Sequence, residues 1–248
     1  DPEEYAQEME CSFEASVRGA VYARQMEAAQ ASGRVGDFPL QHGIPVNVFM
    51  DLGWRDDTTM GMVQSRPDGI LVGHAMHASL QPIGYYIDYL RAWLSKTGHK
   101  LGDVYLQHDA KAKSLQTGKS IIDHFRKAAI RPKLVTELGL MDGIAATRSA
   151  FPTTYFNAPE TKDLVLALKS YHYKYDEERK IYLSEPVHDW SSHYADLQRY
   201  ISIMSSAAPR NRQQGGRAPL AQDAVRSVHY GFALNDIWDT APQRSTRL

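Results

Sequence analysis

Three aspartates stand where their surroundings make chemistry possible. Asp51 closes the apolar run Val46-Asn47-Val48-Phe49-Met50 and is followed by Leu52-Gly53 and the acidic turn Asp56-Asp57. Asp109 follows Leu106-Gln107-His108, and Asp196 lies in Ser192-His193-Tyr194-Ala195-Asp196-Leu197. A charge beside a buried strand is costly unless something pairs with it. Three clustered carboxylates repel one another, so one or more holds a proton unless a cation compensates. Hard oxygen donors favour Mg²⁺ or Mn²⁺. Two such ions, about 3.5–4 Å apart, can activate a water and stabilise the leaving oxygen of a phosphodiester. Plainer readings stand beside this one. Asp51 fits an ordinary turn, Asp109 a cap, and Asp196 a helix-surface charge paired with Arg199 or Lys180. His193 and His108 adjoin the acids as outer donors, proton carriers or ligands, although a lone histidine is more often a satisfied structural residue.

The elements that must position these residues alternate along the chain. Val46–Met50, Thr58–Gln64 and Gly69–Ala75 read as three consecutive strands, the last two joined by the turn Arg66-Pro67-Asp68-Gly69. Residues 82–96 form an amphipathic helix ended by Thr97-Gly98, and a fourth strand runs over 103–107. A helix over 120–129, a short strand at 133–135 and helices over 142–150 and 161–168 follow. The closing helix, 190–206, buries Trp190, Tyr194, Leu197, Ile201 and Met204, with Asp189 or Ser191 as its cap. Asp196 falls one step from that stripe and can point along the sheet edge. Residues 3–31 read as a first helix and 33–45 as a linker. This order predicts an α/β fold, a mixed sheet flanked by helices. If the first and fourth strands are neighbours, Asp51 and Asp109 meet.

Composition narrows the classes. The chain has 248 residues, a formal net charge of −1, and 43% hydrophobic and 23% charged residues. That suits a water-soluble globular protein. A single cysteine, Cys11, excludes an intramolecular disulfide framework and a cysteine-rich zinc site, and fits a reducing compartment. No apolar run approaches the roughly 20 residues of a membrane helix, and no signal peptide opens the chain. Because it begins at Asp1, the chain is expected to be a fragment of a longer polypeptide.

Together, four segments resemble the nuclease domain of the large terminase subunit of tailed bacteriophages, which has a ribonuclease H-like fold. They are Glu10-Cys11-Ser12-Phe13-Glu14-Ala15; Asp51 through Thr59; His108-Asp109-Ala110 with Thr117-Gly118-Lys119-Ser120 behind it; and Asp189 through Tyr200. The resemblance implies an endonuclease that cuts concatemeric viral double-stranded DNA during packaging, in the cytoplasm of the infected bacterial host. Its acidic cluster carries over to Asp51, Asp109 and Asp196 with two ions of Mg²⁺ or Mn²⁺, and Asp57 is a further ligand candidate. It implies a portal protein and a small terminase subunit as partners, and a packaging ATPase upstream in the same chain. On this reading 1–43 connects to that ATPase, 44–206 is the nuclease domain and 207–248 a basic tail.

Lys111, Lys113 and Lys119 follow Asp109 closely and can hold a DNA backbone, with Arg210, Arg212 and Arg217 adding to them. Thr117-Gly118-Lys119-Ser120 looks like part of a phosphate-binding loop, but Lys113 stands where the pattern needs glycine, so it reads as a helix start. Trp54 and Trp190 read as core. Rival readings are an actin-like ATPase or sugar kinase, a resolvase or transposase of the same fold, and a non-catalytic DNA- or portal-docking module. The kinase needs a second Asp-x-Gly hairpin that the sequence lacks.

Overall fold

The structure is a computed structural model that describes residues 19–53, 56–115 and 118–207. All belong to the first of two compact units into which the chain divides, Asp1–Pro209. The elements are α1 (Ala23–Ala31), β1 (Val35–Gly36), β2 (Val46–Asp51), β3 (Thr58–Arg66), β4 (Gly69–Ala78), α2 (Ile83–Thr97), β5 (Leu101–Leu106), a 3₁₀ turn at His108–Lys111, α3 (Ile121–Lys127), β6 (Lys133–Leu134), α4 (Leu140–Ala150), β7 (Thr154–Asn157), α5 (Lys162–Ser170), β8 (Tyr173–Asp176), β9 (Ile181–Pro186) and α6 (Trp190–Ala207). Seven strands make one sheet in the order β1-β7-β4-β3-β2-β5-β6, and β8 and β9 form a separate hairpin. β3 runs antiparallel to β2 and β4, and every other pair in the large sheet is parallel.

Strand alternation divides the core into two layers. Val46, Val48 and Met50 of β2 join Met60, Met62 and Leu106 under Tyr86, Ile87 and Leu90 of α2 and Phe125 of α3. Phe49 faces the other way, into a cluster with Ile144 of α4, Leu164 and Leu168 of α5, and Leu197 and Ile201 of α6. Asp51 lies two residues beyond Phe49 and therefore on the α6 side. α6 lies close against β3 because position 61 is glycine: a Cβ there would stand 3.3 Å from Leu197 Cδ2 and 3.5 Å from Ile201 Cδ1. The turn before β4 needs its glycine too. Gly69 has φ +146°, and a Cβ there would collide with the Thr153 carbonyl.

The three-strand meander and the α2, β5, α3 and α6 readings all have counterparts in the fold, and Ser120 caps α3 through a reciprocal pair of hydrogen bonds with Asp123. Three expectations need correction. The linker 33–45 contains β1, which pairs with β7. Neither strand was legible, because two- and four-residue strands carry too little periodicity. The β8–β9 hairpin was likewise missed. Trp190 is 51% exposed rather than core. The Thr59 hydroxyl donates to the His193 carbonyl at the start of β3, so Trp190, nearly a turn earlier, projects past the sheet. The reading of 3–31 as one helix holds for α1 but fails at 20–22, where Ala20 bridges to His172 and Val21 N–H donates to the Tyr171 carbonyl; residues 1–18 lie outside the described residues.

Candidate active site

β2 and β5 are parallel neighbours, with Met50 opposite Leu106. The chain therefore leaves both strands at the same sheet edge, bringing Asp51 and the turn bearing Asp109 together. Gln107 ties the two ends: Leu52 N–H donates to its Oε1 and its Nε2 donates to the Leu52 carbonyl, each at 2.9 Å. On the other side, the Thr58 hydroxyl accepts from Gly53 N–H at 3.1 Å and donates to the Gly53 carbonyl at 2.8 Å. Glycine is required at 53, since a Cβ would stand 2.7 Å from the Asp56 carbonyl oxygen. The loop after Asp51 is thus clamped from two strands. Replacing Gln107 with leucine strands both Leu52 groups, and should lower unfolding free energy by about 2 kcal/mol in urea titrations.

The sheet edge opens into a cleft of about 220 Å³. Asp51, Gln107, His108 and Asp109 line one side, Val135 to Leu138 the other, and Arg199 and Tyr200 reach in from α6. Burial, first, and the charge of Asp196, second, push the Asp51 carboxyl up to about 8, with a smaller contribution from Asp109. Arg199 and a hydrogen bond with Tyr200 act in the opposite direction. Asp196 has a cation already: Arg199 Nε and Nη2 donate to its Oδ1 at 3.1 and 2.8 Å. Burial and the two nearby acids raise the Tyr200 phenol, which stays protonated.

The three aspartates therefore influence one another, with Asp51 and Asp109 sharing the cleft and Asp196 held against Arg199. Among the described residues, no three His, Cys, Asp or Glu side chains are gathered closely enough to hold one ion as they stand. The donor set is nevertheless the hard-oxygen set that Mg²⁺ or Mn²⁺ prefers. A carboxyl raised this far by burial and a neighbouring acid is a group that a cation would ionise.

The remaining candidates are dispersed. His108 lines the cleft, 3.5 Å from Lys111 Nζ and 3.8 Å from Glu137 Oε2. Lys111, Lys113 and Lys119 are exposed on the strap beyond Asp109. Asp57 does not line the cleft, because it lies toward β4, where His77 Nδ1 donates to it at 3.0 Å. His193 packs its ring against His188, 5.4 Å between centroids, and is absent from the cleft wall. Arg210, Arg212, Arg217 and Trp54 lie outside the described residues. Sequence reading missed Tyr200 and Glu137 as cleft residues and named Arg199 only as a partner for Asp196, a pairing the structure contains. Tyr200 and Arg199 stand one turn beyond Asp196 on its helix, a spacing that could have pointed to them. Glu137 sits on a loop after β6, where only the sheet order shows that it faces Asp109.

The mixed seven-stranded sheet, with helices on both faces and acids at the β2–β5 edge, has the ribonuclease H-like fold of terminase nuclease domains. The large terminase of one thermophilic bacteriophage is similar over 75% of this chain at 19% identity, with a TM-score of 0.57. This chain covers 45% of that protein's length. The P22 large terminase nuclease domain matches 69% of this chain and 87% of its own at 16% identity and TM-score 0.52. The large terminase nuclease of the thermophilic phage G20c, solved with bound cobalt, matches 74% and 96% at 9% identity and TM-score 0.51. No protein-family model matches the chain, and no curated protein matches it.

Proposed function

We propose that this chain is the nuclease part of a phage large terminase, a metal-dependent endonuclease that cuts concatemeric double-stranded DNA during packaging. The observation that carries the reading is the Asp51 carboxyl, half-buried at the sheet edge beside Asp196 and Asp109 and pushed up to about 8. The shared fold with the P22 and G20c nuclease domains supports it, and the G20c protein was solved with cobalt. Asp51, Asp109 and Asp196 would hold two ions of Mg²⁺ or Mn²⁺, which would supply the charge that activates a water and stabilises the leaving oxygen of a phosphodiester.

The chain's own residues prepare the site. Gln107 and Thr58 fix the direction in which Asp51 leaves β2. Tyr200 stays protonated and orients the Asp51 carboxyl by its hydrogen bond. Lys111 and Lys113 stand exposed beyond Asp109, where they would attract the DNA backbone without reading its sequence. The portal, the small subunit and an upstream ATPase belong to the same proposal. The kinase reading needs two related halves, and the described residues contain one seven-stranded sheet and one small hairpin. The test is nicking of supercoiled plasmid by the 248-residue chain. Conversion to open circles and linear product with Mn²⁺ or Mg²⁺, abolished by EDTA, is expected. Nicking unaffected by EDTA, or DNA binding without any cutting, would refute it.

A further inference from the structure

Arg199 is a cleft residue that the proposed chemistry leaves without a task. Both of its donations to Asp196 fall on Oδ1, and only 13% of its side chain is exposed, against 27% for Asp196. Its seat is built into the neighbouring helix. A Cβ at Gly143 of α4 would stand 2.5 Å from Arg199 Cδ and 2.9 Å from Cγ, so the missing side chain at 143 makes room for the arginine stem. The guanidinium also lies over the Tyr200 ring, 5.0 Å from its centroid. The arrangement gives Asp196 a fixed cation beside a cleft that carries Asp51, Asp109 and Glu137.

Resting on the reading of the cleft as a metal site, we infer that Arg199 is a resident counter-ion that competes with a divalent cation for Asp196. Oδ2 has lone pairs to spare. A doubly charged ion on that carboxylate would still stand within a few ångströms of the guanidinium and repel it. The arginine therefore opposes cation binding at Asp196. Arg199 is a positioning residue: it acts on the ion only through the carboxylate it holds. It explains why three acids that influence one another electrostatically are not gathered around a common point.

The test is a titration of the 248-residue chain with Mn²⁺ alone, without DNA, following free Mn²⁺ by electron paramagnetic resonance. Removing the repulsion between the guanidinium and the ion, Arg199→Ala is expected to bind Mn²⁺ about tenfold tighter than the parent. Gly143→Ala keeps every charge but pushes the arginine from its seat, and should shift affinity in the same direction; it decides the matter if Arg199→Ala fails to fold. Arg199→Lys, which keeps a cation without the planar fork, should stay nearer the parent. Unchanged or weaker binding in Arg199→Ala and Gly143→Ala, at a site that Asp51→Asn removes, would overturn the role of Arg199 alone. No Mn²⁺ bound by the parent or any variant would overturn the metal reading as well.

Discussion

Asp51→Asn is expected to cut plasmid nicking by at least about a hundredfold, because an amide cannot replace a carboxylate in a hard-cation site. The same change should stabilise the metal-free protein. The Asp51 carboxyl is raised from 3.8 to about 8 in the folded state. Between those values the folded chain holds a proton that the unfolded chain has released. Stability is then fully present below about pH 4 and falls as pH rises toward 8. Asparagine has no proton to lose, so the advantage of the variant grows across that window. Scaled down for the partial exposure of Asp51, the gain at pH 8 is about 2 kcal/mol. Thermal unfolding in EDTA at pH 5 and pH 8 measures it, and an advantage that shrinks with rising pH would contradict the burial argument. Activity lost while stability is gained is the pattern of a residue placed for function rather than folding.

Leu197→Ala should have the largest structural effect. Leu197 is fully buried, and its methyl groups lie against Gly61 of β3, on the α6 face of the sheet. Truncation removes a buried side chain and leaves a cavity, for a loss of about 3 kcal/mol. In a chain of this size that lowers the midpoint of thermal unfolding by about 8 °C. Nicking should fall further than the unfolded fraction accounts for, since Asp196, Arg199 and Tyr200 ride on the same helix. Calorimetry and a nicking assay run well below the new midpoint separate the two effects. Full activity at that temperature would mean that α6 does not need Leu197 to hold its face of the cleft.

Much of the fold was legible because its signals are local. The β2 run is apolar apart from Asn47 up to Asp51, since it is buried on both faces, and the hairpin 66–69 carries Pro and Gly where the turn needs them. The 3.6-residue stripe of α6 marked Tyr194, Leu197 and Ile201 correctly. β1 and β7 were not legible, because their two and four residues are stabilised by partners distant in sequence, such as Phe156 against Val35; the β8–β9 hairpin pairs locally but buries too little to print an apolar alternation.

The candidate site divides along the same line. The sequence by itself determined which side chains are chemically suited: acids at strand ends and on the last helix, with glycine at 53 and lysines close behind Asp109. Tertiary structure alone decided which of them meet. Parallel pairing of β2 with β5 placed Asp51 beside Asp109, whereas Asp57 turned to His77 and His193 to His188. It also set Glu137 across the cleft and seated the Arg199 stem against Gly143. Those outcomes depend on sheet order and on a missing Cβ at Gly143, and spacing along the chain encodes neither.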